Sequence, residues 1–434
     1  MITEISIQGF KSLQDVNLKL GHLNLFIGTN ASGKSNFFDA LRVLQGIGYG
    51  FTIDEIFNGK PKSSGSDVWE PIRGGSSKAD FIGRAGDENG SEQKVIEFSV
   101  TLPVESPLIK ALLVQSGIIG FRLELPTEPP SEPPMVKYSI AISARNGWVR
   151  GERLVIGDWQ IFDSANLENA SQSPVITVRY KPAGEGRGTR LQFEKSRPVL
   201  HQLLRHTSCT EGDRAFIEWF NGRLSNTQRI DPSPAMLRDY SQAHTARRMG
   251  ERGENFAALI SAIQSDEKTR SAYVSWLKRL TPTELDDVTV LKGALEEPLF
   301  AIKERGVEYP APILSDGTLR FAAITAAFFQ PDMPDILTIE EIENGIHPSR
   351  LRLLAEMLRT QTSGNRQVMA TTHSPVVLAW LKPSDYATTF FCSRDAETGA
   401  SRIIPLSEVP NLVNIVQKHS IGKLLAEGWL EEAL

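Results

Sequence analysis

Cysteine is scarce in this 434-residue chain, which contains only Cys209 and Cys392. Neither has a CxxC partner or a histidine at ligand spacing, which excludes a zinc module and makes a disulfide framework improbable. Long apolar runs are also missing, since no window approaches the roughly 18 residues that a membrane span needs. The opening segment MITEISIQGFKSL lacks the basic start and apolar core of a signal peptide. We therefore expect a cytoplasmic protein without membrane contact.

The chain also lacks a strong excess of charge of one sign, because its formal net charge is -5 at pH 7. Such a balance gives no global attraction to nucleic acid, so any DNA-binding surface must be a local basic patch. Arg247, Arg248, Arg252, Lys278 and Arg279 could form a basic stripe of this kind. The alternative is a solvated helix face, which is the commoner use of such charges.

A glycine-rich loop, here called the phosphate loop, occupies residues 28–35 with the sequence GTNASGKS, which fills every fixed position of G-x-x-x-x-G-K-[ST]. Residues 22–27 predict a strand before it and residues 35–44 an amphipathic helix after it, the order that this pattern requires. Its glycines allow backbone amides and the positive helix end to point at phosphate oxygens. Lys34 is expected to bridge the β- and γ-phosphates and Ser35 to hold Mg²⁺. The loop predicts binding of ATP or GTP.

Two adjacent acids follow the apolar segment 335–339. A buried parallel strand that ends in carboxylates is where α/β folds place metal ligands and catalytic groups. We predict that Glu340 is the magnesium-linked acid and that Glu341 is the base that orients the attacking water. A strand followed by solvated acids is the alternative.

Two further motifs lie near these acids in the sequence. Ser315, Asp316 and Gly317 precede an apolar helix, and they could form either a helix N-terminus that receives an anion or an ordinary turn and N-cap. His373 follows the short buried strand 367–372, at the same predicted sheet edge as the acids, and could donate to the γ-phosphate. His347 is interpreted either as a site residue or as a residue that shapes its turn.

Together the motifs GTNASGKS, LSDGTLR, TIEEIENGIHP and TTHSP resemble those of the ABC-type ATPases of the RecF, SMC and OLD group. The nearest resemblance is to the compact AAA family ATPases labelled AAA-21, which lack a Toprim nuclease domain. The segments ISIQGFKSL, GENFAALISAI and SIGKLLAEGWL are similar to that subgroup too. The resemblance implies an α/β fold, a P-loop NTPase of ABC/SMC-like type with an antiparallel β lobe and a helical insertion.

The resemblance also implies that two copies sandwich two ATP molecules, each between the phosphate loop of one copy and the signature of the other. The residues that would contact ATP are Lys11, Gly28, Asn30, Ala31, Ser32, Gly33, Lys34, Ser35 and Asn36, with Ser315, Asp316 and Gly317 acting on the partner's nucleotide. Glu341, His373 and Lys34 would be catalytic, and Ser35 and Glu340 would hold Mg²⁺. Glu340 departs from the usual aspartate, and Ser-Asp-Gly-Thr departs from Ser-Gly-Gly-Gln. Gln93 is one candidate for the Q-loop glutamine.

A chain of this length predicts two lobes or a large insertion. We expect residues 1–190 to form the first part of an ATPase head with a β-rich lobe, 191–283 a helical insertion, and 284–434 the rest of the head. Strands are predicted at 2–7, 16–27, 94–102, 120–125, 135–144, 285–291 and 299–303, and helices at 198–205, 214–224, 235–248 and 254–280. Residues 58–90 and the proline-rich segment 126–134 are predicted to be surface loops.

The leading hypothesis is an ATP-hydrolysing switch that forms a homodimer or higher oligomer. By analogy with its relatives, it would control a DNA-directed process such as phage defence or DNA repair through a separate effector protein, for example a nuclease. The alternative is an OLD-like nuclease that acts on nucleic acid itself. The segment after Lys382 offers no Asp-x-Asp at a strand end, and Asp395 and Glu397 are better explained by a hairpin turn. A transporter subunit is disfavoured.

Overall fold

The computed structural model describes residues 1–61, 67–81, 94–105, 133–164, 172–182, 188–241, 245–280, 285–362, 366–416 and 421–432. The strands are β1 (Glu4–Phe10), β2 (Leu13–Lys19), β3 (Leu23–Ile27), β4 (Lys60–Pro61), β5 (Asp67–Trp69), β6 (Ile96–Pro103), β7 (Met135–Ser143), β8 (Trp148–Ile156), β9 (Trp159–Asp163), β10 (Val175–Tyr180), β11 (Thr189–Glu194), β12 (Thr227–Ile230), β13 (Leu285–Lys292), β14 (Pro298–Glu304), β15 (Val307–Pro310), β16 (Ile336–Ile339), β17 (Gln367–Thr372), β18 (Thr389–Arg394) and β19 (Ser401–Pro405). The helices are α1 (Lys34–Tyr49), α2 (Ile53–Asn58), α3 (Val199–Leu203), α4 (Glu211–Ser225), α5 (Pro234–Leu237), α6 (Phe256–Gln264), α7 (Glu267–Leu280), α8 (Asp316–Ala327), α9 (Leu351–Gln361), α10 (Pro375–Leu378), α11 (Leu412–Ile415), α12 (Ile421–Ala426) and α13 (Trp429–Glu432). No helix among these residues is long and apolar enough to cross a membrane. The predictions for 120–125 and Gln93, and that for 126–134 except for its last two residues, lie outside the described residues.

The chain forms two compact units. The first comprises Met1–Gly21, Thr29–Thr227 and Cys392–Ile404, and the second comprises His22–Gly28, Gln228–Phe391 and Pro405–Leu434. These units differ from the expected segments 1–190, 191–283 and 284–434, because the division falls at Thr227, inside the expected insertion. The short segment His22–Gly28 joins the second unit because β3 pairs there with β17 and β18.

An eight-stranded sheet dominates the first unit, in the order β11-β10-β9-β8-β7-β6-β1-β2. The strand pairs with a recorded register are antiparallel throughout. Alternate side chains of β7, from Val136 to Ile142, are buried, as expected for a sheet with one face packed on a core. The period-2 pattern of 135–144 is therefore confirmed, and with it the antiparallel β lobe.

Helices α1 and α4 pack against each other within the first unit. Their approach depends on Gly48, where an added Cβ would lie 2.6 Å from the backbone nitrogen of Ser225. The aromatic ring of Phe220 on α4 lies 5.4 Å, centroid to centroid, from that of Tyr138 on β7. Helix α4 thus connects α1, which begins in the phosphate loop, to the core of the antiparallel sheet.

A parallel sheet forms the centre of the second unit. The order of its strands is β12-β16-β17-β3-β18, and the β16/β17, β17/β3 and β3/β18 pairs are parallel. Every residue of β16 and of β17 is buried, because both faces of such a sheet are covered. The apolar runs at 335–339 and 367–372 were predicted to be buried parallel strands, and this is confirmed.

Beyond Phe391, β18 enters the first unit and forms a hairpin with β19. The Asp395 carboxylate accepts hydrogen bonds from the backbone N–H groups of Glu397 and Thr398, at 3.1 and 2.8 Å. These bonds close the turn between the strands. The prediction that Asp395 and Glu397 belong to a hairpin turn is confirmed.

Other predicted elements are wrong in their extent. The predicted strand 16–27 is two strands, because β2 pairs with β1 in one sheet while β3 joins the other. The predicted helix 235–248 is helical only to Leu237, and Asn255 holds the later chain by bonding Gly250 N–H and Arg248 C=O. The predicted helix 254–280 is α6 followed by α7, which begins after Asp266 caps it. The predicted surface loop 58–90 contains β4, β5 and buried Trp69.

Candidate nucleotide site

The phosphate loop has a backbone conformation that few residues adopt. Gly28, Ala31 and Gly33 have φ values of 141°, 63° and 106°. Gly33 is further constrained because an added Cβ would lie 2.1 Å from Ser401 Oγ. Ala31 carries a Cβ in the left-handed region, at a cost of roughly 1–2 kcal/mol. The loop is therefore held in a strained shape by its surroundings, which is typical of functional loops.

Lys34 is the first residue of α1 and is only 6% exposed. Its Nζ donates to the backbone oxygen of Thr29 at 2.7 Å and to Ser32 Oγ at 3.2 Å. The amine is thus folded over the phosphate loop. In the described part of the chain, α1 has no side-chain cap and no acid in its first turn. Its first N–H groups and positive end suit an anion.

Lys11 is expected to contact the nucleotide, and in the structure its side chain pairs with an acid of α1. Lys11 Nζ lies 2.5 Å from Asp39 Oδ2, and Arg73 Nη2 lies 3.2 Å from Asp39 Oδ1. Burial lowers the pKa of Lys11, a shift that the charge of Asp39 opposes. Arg73 also donates to the backbone oxygen of Ser35 at 2.8 Å. Sequence reasoning missed Asp39 and Arg73, although an acid among the apolar residues of an amphipathic helix is a usable signal.

Asn36 contacts neighbouring side chains of the same unit. Its Nδ2 donates to Ser12 Oγ at 2.7 Å, and Ser12 Oγ lies 2.7 Å from Ser401 Oγ. Ser401 also donates its backbone N–H to the oxygen of Ser12. This network fixes the hairpin residue Ser401 against the phosphate loop, where it excludes any side chain at Gly33.

In the second unit, the predicted acids and the predicted histidine lie at one edge of the parallel sheet. Glu340 and Glu341 follow β16, and His373 follows the neighbouring strand β17. Glu341 Oε1 lies 4.0 Å from His373 Nε2, and about half of the Glu341 side chain is exposed. Gly28 follows β3, whose last residue is in register with the last residue of β17. The strands of this unit therefore bring Gly28, the acids and His373 to the same edge.

Glu340 and Glu341 have different surroundings. Glu340 Oε1 lies 3.1 Å from Arg229 Nη2, and the Glu340 side chain is 16% exposed. Glu341 has φ 47°, and its N–H donates to Thr371 Oγ1 at 2.8 Å. A non-glycine residue in this conformation persists only where several contacts fix it, and such residues concentrate at active sites.

Glu343 is a functional candidate that sequence reasoning left without a role. Its Oε1 accepts the backbone N–H of His373 at 2.5 Å, and its Oε2 is buried. A charged acceptor makes this bond roughly twice as strong as a neutral one. Glu343 therefore fixes the start of the segment that carries His373. The signal in the sequence was a third acid in the same short run.

The signature-like residues form the N-terminus of α8. Ser315 Oγ accepts the N–H of Thr318 at 3.2 Å, so Ser315 is the N-cap. A Cβ on Gly317 would lie 2.3 Å from the backbone oxygen of Gly345, which makes glycine necessary there. Asp316 pairs with Arg238. The capping interpretation is confirmed, and it is compatible with anion binding because the other first-turn amides have no acceptor within the helix.

A pocket of about 230 Å³, here called the α8 pocket, opens at this helix end. It is lined by Leu277, Ser315, Gly317, Thr318, Phe321, Gly345, Ile346, His347 and Arg350. His347 Nδ1 lies 2.8 Å from Ser349 Oγ and accepts the N–H of Ser349, so it shapes its turn. Arg350 and the helix end give the α8 pocket a positive character that suits a phosphate.

No group of three or more His, Cys, Asp or Glu side chains that could hold a metal ion occurs within the described ranges. In nucleotide sites, Mg²⁺ is held by one or two protein ligands together with substrate phosphates and water. The carboxylate of Glu340 and the hydroxyl of Ser35 are both oxygen donors of the type that Mg²⁺ prefers. The donor set therefore fits.

Two protein-family models match the chain across these motifs. Residues 221–379 match a model described as AAA domain, putative AbiEii toxin, Type IV TA system. Residues 1–60 match a model described as AAA ATPase domain. The first match contains the acids, His373 and the α8 N-terminus, and the second contains the phosphate loop. The chain is an ATPase with two regions that match AAA domain models. The predicted resemblance to AAA family ATPases and the assignment of ATP hydrolysis are confirmed.

The ATPase is also similar to a Helicobacter pylori protein named ATP/GTP phosphatase. The two are 23% identical over 409 residues, which covers 90% of the ATPase and 92% of the relative. Among solved structures, a Pyrococcus furiosus Smc head domain bound to the C-terminal domain of ScpA matches with a TM-score of 0.48, 12% identity and coverage of 96% and 99% of the two chains. An SMC head domain from Thermotoga maritima matches with a TM-score of 0.39, 11% identity and coverage of 93% and 98%.

Proposed function

We propose that the ATPase is an ATP-dependent switch in which two copies hold two ATP molecules between them. The observation that carries this proposal is that one unit presents two separate features suited to a nucleotide. One is the sheet edge with Glu341 and His373, and the other is the α8 pocket at Ser315. A protein that bound ATP within a single copy would need only the first. The second suits the γ-phosphate of a nucleotide held by another copy.

In the proposed reaction, Lys34 leaves Thr29 and Ser32 to bridge the β- and γ-phosphates, and the other residues of the phosphate loop contribute backbone N–H groups. Lys11 lies near the nucleotide, and Asn36 supports the loop through Ser12. Mg²⁺, when bound through Ser35 and Glu340, neutralises charge on the phosphates. Glu340 would have to share or exchange its contact with Arg229 to do so.

Glu341 is proposed to orient and deprotonate the attacking water, and His373 to donate to a γ-phosphate oxygen. Their separation of 4.0 Å and the exposure of both side chains leave them available to groups that enter the site. Glu343 holds the backbone of His373, so His373 is pre-organised. Positioning of this kind and electrostatic stabilisation supply most of the catalysis in phosphoryl transfer.

The proposed change between the closed dimer and separate copies depends on the γ-phosphate, the group that hydrolysis removes. In the ATP state, this group would contact the phosphate loop of one copy and Ser315, Asp316 and Gly317 of the other, so it would join the two copies. Hydrolysis and phosphate release remove that shared contact. A ligand shifts a conformational equilibrium only through such a difference in contacts. The nucleotide would therefore close the dimer and its hydrolysis would reopen it.

Light scattering coupled to size exclusion tests the dimer directly. Glu341→Gln should bind ATP without hydrolysing it and should elute as a dimer with ATP and Mg²⁺ but as a monomer without nucleotide. Adding Ser315→Arg, which fills the α8 pocket, should abolish the dimer. Ser384→Arg, at an exposed position of the same unit, is the matched control and should leave the dimer intact. A monomer under all conditions would refute the proposal.

We further propose that the switch controls a DNA-directed process, such as phage defence or DNA repair, through a separate effector. The description of the model that matches residues 221–379, which includes a putative toxin of a toxin–antitoxin system, supports a defence role. The expected basic stripe gives little support for direct DNA contact, because two of its arginines are in ion pairs. Arg247 pairs with Asp332, and Arg279 pairs with Glu356. A gel-shift titration in rising salt should therefore show weak DNA binding by the ATPase alone.

A further inference from the structure

Arg320 is a buried arginine on α8 that has no role in the proposed reaction. It lies five residues after Ser315, and only 6% of its side chain is exposed. Its Nη1 donates to Asp231 Oδ1 at 3.0 Å and to the backbone oxygen of Pro232 at 2.8 Å. Its Nη2 donates to the backbone oxygens of Glu340 at 3.1 Å and Glu341 at 3.4 Å. One guanidinium thus contacts the backbone of both acids.

The backbone that Arg320 contacts is conformationally unusual. Glu341 has φ 47°. This conformation is unfavourable for any residue with a Cβ, and it persists only where neighbouring contacts stabilise it. Thr371 fixes the N–H of Glu341, and Arg320 fixes its carbonyl group together with the N–H of Asn344. Bonds from a charged donor are the stronger ones, particularly in a buried setting.

Arg320 also connects this turn to the helix that begins at Ser315. The same helix touches the chain beyond the acids a second time, where Gly317 packs against the backbone of Gly345. Arg320 lies five positions after Ser315, about 7.5 Å along the helix, so these two contacts define the direction of α8 relative to the turn. A movement of the N-terminus of α8 would be transmitted to the backbone of Glu341 through Arg320.

We propose that Arg320 is a positioning residue for ATP hydrolysis, which holds the Glu341 backbone in the conformation that directs its carboxylate at the attacking water and ties that conformation to α8. The proposal rests on the proposed role of Glu341 as the base. It predicts that loss of the Arg320 contacts impairs hydrolysis more than nucleotide binding. Arg320 contacts the backbone of Glu340 and Glu341, whereas nucleotide binding is assigned to the phosphate loop with Lys34.

Steady-state kinetics of Arg320→Lys and Arg320→Gln test the proposal, together with ATP affinity from titration of a fluorescent ATP analogue and thermal melting. We expect kcat to fall roughly 100-fold in Arg320→Gln, the usual effect of a misplaced catalytic group, while KM and ATP affinity change less than about twofold. Lysine keeps the charge but has one nitrogen for acceptors that the guanidinium reaches with two, so Arg320→Lys should lose about 10-fold in kcat.

Arg359→Gln is the matched control, because Arg359 also donates to a carboxylate and a backbone oxygen, those of Asp385 and Trp380. It should keep wild-type kcat. The proposal is overturned if Arg320→Lys folds and keeps wild-type kcat, or if its kcat falls only in proportion to its ATP affinity and folded fraction. This holds even if Arg320→Gln does not fold.

Glu341→Gln separates the positioning role of Arg320 from the proposed role of Glu341 as the base. Wild-type hydrolysis by Glu341→Gln contradicts the proposed base, whereas an inactive Glu341→Gln beside a normal Arg320→Lys contradicts only the positioning role.

Discussion

At the scale of single residues, two small residues of the phosphate loop have positive φ for different physical reasons. Ala31 adopts φ 63° although it carries a Cβ. Gly33 has φ 106°, and an added Cβ there would also clash with the hydroxyl of Ser401. A glycine at position 31 reaches the same conformation without steric cost. An alanine at position 33 would meet both backbone strain and a clash.

We therefore expect Gly33→Ala to destabilise the loop conformation seen in the structure by at least roughly 2 kcal/mol, and ATP binding that requires this conformation should be about 30-fold weaker. Ala31→Gly should keep ATP affinity within about threefold because glycine tolerates positive φ. Titration with a fluorescent ATP analogue measures both. Equal losses in the two variants would show that the loop does not tolerate a change at position 31 either, which would contradict this prediction.

Glu343 provides a second prediction at this scale. Glu343→Gln removes the charge that strengthens the bond to His373 N–H while keeping the shape of the side chain. Bonds to charged groups contribute about 1.5–3 kcal/mol, so kcat should fall roughly 10- to 100-fold. Glu427→Gln, at an exposed ion pair with Lys423, is the control. Unchanged kcat in Glu343→Gln would mean that the His373 segment needs no such support.

The residues that sequence reasoning found and those that it missed differ in how they are specified. Lys34, Glu341 and His373 occupy fixed positions in short motifs, next to strands and helices that the same motifs require. Asp39, Arg73 and Arg320 act through contacts between segments far apart in the sequence, and a single sequence contains no spacing that reveals such pairs. Glu343 was visible as a third acid, but its partner is a backbone N–H, which no side-chain pattern shows.

At the scale of elements, a buried glutamate controls the start of the short helix α3. Glu152 accepts the N–H groups of Val199 and Leu200, at 2.6 and 2.8 Å, and the hydroxyl of Tyr138 at 3.0 Å. Burial raises the pKa of Glu152 to about 7, although these three bonds oppose the shift. The protonated carboxyl is thus favoured in the folded protein more than in the unfolded chain.

The sign of the pH effect follows from that shift. A raised pKa contributes stability that is complete below the unfolded pKa of about 4.5 and is lost as the pH rises through about 7. The loss should be on the order of 2–3 kcal/mol for the first unit. Glu152→Gln should remove it, so urea unfolding at pH 5, 6, 7 and 8 should show a flatter profile for the variant. Parallel profiles would assign the pH dependence to other groups.

Elements were predicted well where one local pattern decides them. The alternation of β7 and the buried runs of β16 and β17 each follow from their own residues. The break between β2 and β3 could not be predicted in this way, because both segments are apolar and the break reflects membership of two sheets. The same holds at 245–255, where the Asn255 side chain bonds the backbone of Arg248 and Gly250.

At the scale of the whole molecule, the proposed composite site makes complementation between inactive variants the decisive observation. Lys34→Ala removes the phosphate-loop lysine but leaves the α8 pocket, whereas Ser315→Arg blocks the α8 pocket but leaves the loop. Each variant alone has no complete site and should be inactive. In a mixed dimer, the intact loop of one copy faces the intact α8 pocket of the other, which restores one site of two.

Because neither variant should dimerise with itself, an equimolar mixture should form mixed dimers only, and it should recover up to about half of wild-type kcat per chain if the dimer is a symmetric pair with two equivalent sites. Phosphate release measures this recovery after the two monomeric variants are mixed without nucleotide and ATP is then added. A mixture of Lys34→Ala with Glu341→Gln is the control, because both defects belong to the site that a single copy supplies through its loop and sheet edge. This mixture should stay inactive, since every copy carries either the Lys34 or the Glu341 substitution in the part of the site that it supplies itself. Recovery in the control, or none in the Ser315→Arg mixture, would contradict a site built from the loop of one copy and the signature of the other.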